Sequence, residues 1–503
     1  MKRTLLTLTA LFASLAACYA KQQPNILFFL VDDMGTQDTS VPFAFDEDGA
    51  PLLTKNNKTY RTPNMERLAK QGMRFTQAYA YTICSPSRVS LLTGQAAPRH
   101  KVTQWTHPKT YKTEPGPAKT KTIKSPQWNT KGVPQNTPLL PQLLKQSGYA
   151  TLFAGKAHFG PDDTPMGNPI NLGFDCNIAG YGGGGPGSYW GIYNYSAEHR
   201  NGGSNWNVPG LEKYHGSDTF LTEAITLEMN AAITKAHASG APIFAYMSQY
   251  ALHVPFQYPD KRFTPNYPQL KGDALSHASL VEGMDKSLGD ILLTLEKLGE
   301  AENTLVIFYS DNGSVSPLGT PTLKGKKGTR YEGGSRVPLM ISWAKINPSN
   351  PLQQKLPIKP NSIQSDIVTV NDIMPTILSI TGTSTPSGTI MDGHDLTPYL
   401  LGVKGTHRPQ RFLTHFPHAH YNSLFSTLRD GDYKVIYNYA NSSWELYNLK
   451  HDPKEAHNII KQSPERSLTL AKRLIKYLDD FNASYPVHIK DGSAVRPNID
   501  TLK

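Results

Sequence analysis

Cys84-Ser85-Pro86-Ser87-Arg88-Val89-Ser90-Leu91-Leu92-Thr93-Gly94 is the stretch around which the rest of the chain is read. Pro86 suits the first turn of a helix, where its missing N–H has no partner to lose. Gly94 suits the stop. The segment therefore predicts a short helix with Cys84 at its N-terminus, where free backbone N–H groups and the helix dipole favour an anion. Arg88 lies one turn on, on the same face, and adds a planar cationic fork. A cysteine in such a place is ordinarily a small buried hydrophobe, so the neighbours must decide whether Cys84 does chemistry.

Four apolar runs of strand length surround it in sequence. Ile26–Val31 ends at Asp32-Asp33, and Tyr149–Ala154 at Gly155-Lys156-Ala157-His158. Pro242–Ser248 is followed by His253-Val254-Pro255-Phe256, and Thr304–Ser310 by Asp311-Asn312-Gly313. Continuous rather than alternating apolarity reads as strands buried on both faces, as in a mostly parallel sheet. Helical patterns lie between them, at 62–72, 138–148, 218–239, 273–299 and from 372 onward. The fold class is α/β. Phe75–Tyr81 adds a short strand just before Cys84. The carboxyl ends of parallel strands converge on one crevice. That crevice would hold four oxygen-bearing side chains (Asp32, Asp33, Asp311, Asn312), several cations and Cys84. Taken singly, each acidic pair reads equally well as a solvated turn. Taken together, oxygen-only ligands argue for Ca²⁺ or Mg²⁺ rather than zinc, and leave His158 and His253 free to carry protons.

These motifs resemble the type I, formylglycine-dependent sulfatase family of the alkaline phosphatase-like superfamily. Cys84 to Gly94 matches its C-x-P-S-R-x-x-L-L-T-G signature at every fixed position. Thr62-Pro63-Asn64 through Gly72 is similar to T-P-N-x-x-x-L-A-x-x-G, and His253–Phe256 to H-x-P-F. Leu323–Pro338 is similar to L-R-G-x-K-G-x-x-Y-E-G-G-x-R-V-P, and Trp444–Glu455 to W-E-L-Y-D-L-x-x-D-P-x-E. Three positions depart from the family's patterns: Ala157 replaces a Trp, Lys324 an Arg and Asn448 an Asp. The resemblance implies a large mixed, mostly parallel sheet flanked by helices in a catalytic domain over 24–398, and a smaller C-terminal α+β subdomain over 399–503. It implies one divalent cation, Ca²⁺ before Mg²⁺, on Asp32, Asp33, Asp311, Asn312 and position 84. A maturation enzyme would convert Cys84 to 3-oxoalanine (formylglycine), whose hydrate is the nucleophile. Arg88, Lys156 and Lys327 would neutralise the sulfate, His253 would protonate the leaving oxygen, and His158 would help expel sulfate. Lys324, His415 and His418 stand as substrate candidates. The implied substrate is a sulfated polysaccharide or oligosaccharide, with carrageenan-type galactans as one case. A phosphonate or phosphodiester hydrolase of the same superfamily and a non-catalytic sulfated-glycan-binding protein are the rival readings.

Composition sets the setting. The chain has 503 residues, is 38% hydrophobic and 18% charged, and carries a formal net charge of +11. Residues 1–20 read as a signal peptide: Lys2 and Arg3, then an apolar core from Leu5 to Ala17 that is too short to span a bilayer. Either Leu15-Ala16-Ala17-Cys18 is a lipobox with Cys18 acylated, or the cut follows Ala20. Both imply export, to the periplasm, the outer membrane or the medium of a bacterium, and neither leaves a transmembrane span. Basic charge and 25 tyrosines suit a polyanionic partner. Nucleic acid would account for the charge but not for the carboxylates. Only Cys84 and Cys176 remain after residue 20, so no disulfide framework is expected. The interval 101–137, with seven lysines and Trp105, Tyr111 and Trp128, reads as a solvated loop or a basic rim. Tyr181–Trp190, rich in glycine, reads as a sugar-stacking or a flexible surface loop, together with Tyr193, Tyr195 and Trp206.

Overall fold

In the computed structural model the described residues are 23–46, 48–107, 122–406, 408–419 and 424–502. The signal-peptide reading, Cys18, the lysines between 109 and 121 and Tyr111 lie outside them.

The centre of the molecule is an eight-stranded sheet. Its strands are β1 (Asn25–Val31), β2 (Met73–Tyr79), β4 (Ala150–Gly155), β5 (Cys176–Ile178), β6 (Ile243–Ser248), β7 (Thr304–Ser310), β8 (Arg336–Trp343) and β9 (Ser362–Thr369), in the order β5-β4-β6-β1-β7-β8-β2-β9. Every neighbouring pair runs parallel except those made by β8, which is antiparallel to both β7 and β2. The sheet is thus mixed and mostly parallel. Its middle strand, β1, is buried along its whole length, with Phe28 level with Tyr246 on one side and Ile307 on the other.

Side chains alternate across the sheet, so each strand feeds two cores. Ile26, Phe28, Leu30, Tyr246 and Ile307 pack with Leu91 and Leu92 of the Cys84–Thr93 helix, Leu143 of Leu140–Gln146 and Ile377 of Ile373–Thr381. Leu27, Phe29, Val31, Met247 and Phe308 pack on the other face, against Met65 of Pro63–Gln71, Met229 of Leu221–His237 and Met284 of Gly272–Lys297. Two helical layers on one sheet explain the unbroken apolar runs: a strand covered on both sides has no face for polar residues.

A second sheet is an antiparallel meander of β10 (Arg411–Phe416), β11 (Phe425–Asp430), β12 (Tyr433–Asn438) and β13 (Ser443–Asn448). The amphipathic helix Pro464–Asp480 covers it through Leu470, Leu474 and Leu478, which meet Leu428, Val435 and Leu446. A two-residue ribbon, β3 (Ile123–Lys124) against β14 (Val487–His488), ties the end of the 101–137 interval to the C-terminal segment.

Candidate active site

The helix at Cys84 forms as its residues dictate. It runs Cys84–Thr93 with Pro86 in its first turn, and Gly94 ends it in the left-handed region at φ 66°. All ten residues are buried, which places the helix N-terminus, and Cys84 with it, beneath the carboxyl ends of the central strands.

Those strand ends deliver the rest. Asp32 and Asp33 follow β1, Lys156 and His158 follow β4, His253 follows β6, and Asp311 and Asn312 follow β7. Lys156 Nζ lies 2.6 Å from Asp32 Oδ2 and 3.2 Å from Cys84 Sγ. Cys84 Sγ is 3.7 Å from Asp32 Oδ1. Arg88 Nε donates to Asp311 Oδ2 at 2.7 Å, and its NH1 donates to Lys156 O and Ser248 Oγ. Lys327 Nζ sits 2.7 Å from Asp33 Oδ1, His253 Nε2 3.8 Å from Asp33 Oδ2, and Asn312 Nδ2 2.8 Å from Asp33 Oδ1. His158 Nε2 lies 3.0 Å from Thr106 O. All ten expected metal and catalytic residues therefore meet in one place, and all but His253 are buried.

Three carboxylates and three cations are packed together here, all of them buried. Burial raises the Asp32 carboxyl well above the usual range, against the pull of Lys156. Burial acts on Asp33 too, but Lys327, His253 and Lys156 outweigh it and hold that carboxyl below the usual range. Desolvation pushes the Cys84 thiol up to about 12, so the unmodified side chain is a neutral thiol near pH 7, not the reactive thiolate. Burial, then Lys327, lowers His253 to about 3, and burial with Lys156 lowers His158 as well. Asp33 (φ 61°) and His158 (φ 54°) hold left-handed backbone, a conformation that costs non-glycine residues on the order of 1–3 kcal/mol and gathers at functional sites.

A hard cation fits this donor set. Ligand atoms of Asp32, Asp33 and Cys84 lie within 4.8 Å of one another. Asn312 Oδ1 is buried without a hydrogen-bond partner, so turning the amide would offer one more oxygen to the same point. Oxygen donors of this kind suit Ca²⁺ or Mg²⁺. Above them opens a cavity of about 330 Å³ reached by Asp33, Cys84, His158, His253 and Lys327. Trp105, His107 and Trp206 form its rim.

The sulfatase family model matches residues 24–383, which include every one of these residues. The chain belongs to the sulfatase family. It is a sulfuric ester hydrolase. A second family model, of the N-sulphoglucosamine sulphohydrolase C-terminal region, matches residues 326–483. This sulfatase is 32% identical to N-acetylgalactosamine-6-sulfatase of Mus musculus over 427 residues, 81% of the chain and 72% of that relative. It is 28% identical to a sulfatase of Formosa agariphila over 90% of the chain and 88% of that protein. Its fold is that of the crystal structure of Ps i-CgsB in complex with k-i-k-neocarrahexaose, with a TM-score of 0.71 at 24% identity over 91% and 93% of the two chains.

Three expected substrate residues are not in the cavity of this sulfatase. Lys324 Nζ bonds to Glu455 O at 3.0 Å and lies 4.0 Å above the Tyr331 ring, so it serves the contact with the second sheet. His415 is buried in β10 between Ser426 Oγ and Ser484 O. His418 is buried against Thr103 and Trp128. The glycine-rich loop is neither a stacking nor a loose surface loop. Tyr181, Tyr189 and Trp190 belong to the core, and of its aromatic group only Trp206 reaches the rim. Ser248 and His107 were not singled out by sequence. Ser248, the last residue of β6, stood at a converging strand end, a signal that was there to read. His107 belongs to no motif.

Proposed function

We propose that this sulfatase acts on sulfated polysaccharides or oligosaccharides outside the cytoplasm, through a formylglycine made from Cys84. The observation that carries the reading is the position of Cys84 Sγ: on a buried helix tip, 3.2 Å from Lys156 Nζ and 3.7 Å from a carboxylate of the oxygen cluster, at the floor of the cavity. A divalent cation, Ca²⁺ before Mg²⁺, would be held by Asp32, Asp33, Asp311, Asn312 and position 84. When bound, it supplies positive charge that polarises the sulfate oxygens.

This chain's own residues do the rest. Arg88 pins Asp311 and orients the oxygen cluster. Lys156 and Lys327 meet the negative charge that grows on sulfate oxygens in the transition state. One hydroxyl of the aldehyde hydrate at position 84 passes its proton to the neighbouring Asp32 carboxylate and attacks sulfur, and the sugar oxygen leaves with its bonding pair. The bound sulfate ester sets negative charge against His253 and so favours its protonated form, and His253, beside Lys327, delivers the proton to that oxygen. The enzyme-bound sulfate ester then breaks at its carbon–oxygen bond: His158 takes the proton of the second hydroxyl, the aldehyde reforms and sulfate departs. Basic net charge supports an anionic polymer as substrate. A structural neighbour solved with neocarrahexaose supports the polysaccharide class, a sulfatase of Formosa agariphila among the relatives fits a bacterial setting, and export rests on the signal-peptide reading of residues 1–20. We divide the chain into a signal peptide (1–20), a catalytic domain (24–398) and a C-terminal subdomain (399–503).

The test is sulfate release from a panel of defined sulfated glycans, by protein produced together with a formylglycine-generating enzyme, with mass spectrometry of the Cys84 peptide. The expected result is an aldehyde at position 84 and release that Cys84→Ala abolishes. Equal turnover by Cys84→Ala sinks the nucleophile assignment. Faster turnover of an aryl phosphodiester than of any sulfate ester sinks the substrate class.

A further inference from the structure

The cavity above Cys84 does not end at its rim. A second cavity of about 470 Å³ continues from it, and Trp206, His253 and Val254 line both. Each lies within the range of about 300–1,000 Å³ typical of small-molecule sites. The first is sized for the sugar that carries the scissile sulfate, so the second begins where the next sugar of a chain would lie.

The lining of the second cavity is amphipathic. Trp206 and Phe256 give it apolar wall, and Arg200, Gln257 and Asp273 give it polar groups. Arg200 is the informative one. Its NH2 donates to Gly187 O at 3.0 Å, which anchors the guanidinium to the glycine-rich loop. Among the described residues no carboxylate pairs with it. A guanidinium carries five N–H donors in a rigid fork that matches the oxygens of a sulfate or a carboxylate. An anchored cation that no described carboxylate pairs with, lining a cavity that shares its wall with the reacting pocket, is placed to read an anion on the ligand, with the Asp273 carboxylate elsewhere in the lining.

We infer that the cavity beyond Trp206 is a subsite for the sugar adjoining the desulfated one, and that Arg200 selects neighbours bearing an acidic group, sulfate or carboxylate. The inference rests on the sulfated-oligosaccharide reading above. It adds that the preferred substrate is an oligosaccharide with a second anion one ring away, and that an isolated sulfated monosaccharide engages only half of the site.

Four probes test this with the matured full-length enzyme: an aryl sulfate, and three disaccharides sulfated on the same sugar whose neighbour is neutral, sulfated or uronic. The parent is expected to show KM values at least tenfold lower for one or both acidic-neighbour disaccharides than for the neutral one. Arg200→Ala is expected to remove that difference. Its effect on the acidic-neighbour KM should exceed its effect on the aryl sulfate KM at least tenfold, with Arg200→Lys recovering part. The sulfated and uronic arms tell which anion is read. Equal KM values for neutral and acidic neighbours in the parent overturn the proposal, as does an Arg200→Ala change of the same size on all four probes. Aryl sulfate turnover without disaccharide turnover also overturns it while leaving the nucleophile in place. No release from any probe overturns the underlying reading and this one together.

Discussion

Arg88 is the side chain on which the oxygen cluster leans. It is fully buried, it donates to Asp311 at 2.7 Å, and it ties together the ends of β4 and β6 through Lys156 O and Ser248 Oγ. Removing one partner of a buried ion pair strands the other, at a cost of about 3–5 kcal/mol. Arg88→Ala is therefore expected to lower stability by about that amount in a denaturant titration, and to cut kcat by about 10²–10³ as the site loses its fixed charge. Arg88→Lys keeps the charge but not the fork, so it should recover stability more than rate. A variant as stable as the parent sinks the argument. The carboxylates make a second expectation. Asp32, Asp33 and Asp311 repel one another, and a bound divalent cation would offset that repulsion, adding stability in proportion to its binding. Chelation is expected to lower the melting temperature and abolish turnover, and Ca²⁺ to restore both. In Asp33→Asn the thermal response to chelator should shrink. A melting curve that chelator leaves in place, in the parent as in the variant, argues against any resident ion. These residues were legible because each followed an apolar run and carried a charge that a buried strand end cannot leave unpaired. Ser248 was harder to see, since a serine closing a strand is ordinary until its hydroxyl is found on Arg88.

The glycine-rich loop shows what an element can hide from its sequence. A Cβ at Gly184 would come within 2.9 Å of His158 Cε1, and one at Gly185 within 2.6 Å of His253 Nδ1. The loop lies directly on both histidines, so these two glycines are demanded by close approach rather than by flexibility. Gly184→Ala is expected to push His158 off its contact with Thr106 O and to lower kcat by on the order of 10²-fold, the penalty of a misplaced catalytic group. Its far-ultraviolet circular dichroism should match the parent's. A Gly184→Ala enzyme with parental kcat would show that the loop merely passes nearby. Composition suggested an exposed loop because glycine and tyrosine abound in such loops, and only tertiary packing puts Tyr181 and Tyr189 inside. The Cys84 helix was legible almost to the residue, because Pro86 marks a first turn and Gly94 a stop by local backbone geometry. Strand direction was not: the run Val337–Trp343 is as apolar as the parallel strands of the sheet, and a strand buried on both faces has no pattern that records which way it points. Nor could spacing tell that His415 points into the core of the second sheet.

At the scale of the whole molecule, the second sheet acts as a clamp on the loop that carries Lys327. Arg330 Nε and Tyr331 Oη meet Glu445 of β13 at 3.0 and 3.1 Å. Just beyond, Lys434 of β12 lies between two buried carboxylates, 3.0 Å from Glu332 and 3.1 Å from Glu455. Burial raises both acids, but for Glu332 the pull of Lys434, Arg429 and Arg336 prevails and holds it at about 2. For Glu455 burial prevails, reinforced by Glu332, and the carboxyl is pushed up to about 7. The two act on stability in opposite senses. Glu332, lowered on folding, contributes stability that is present above the usual glutamate range and lost as pH falls toward about 2. Glu455, raised on folding, contributes stability that is present below that range and lost as pH rises through about 7. Lys434→Met leaves both acids without their shared cation, which costs about 3–5 kcal/mol when both are charged. At lower pH each can take up a proton instead, so the penalty shrinks. The expected outcome is a melting temperature that falls in Lys434→Met far more at pH 8 than at pH 5. Because Glu332 closes the segment bearing Lys327, kcat should fall with it while the metal dependence stays. A deficit of equal size at both pH values would mean that Lys434 serves packing alone and that the two carboxyls do not titrate through it.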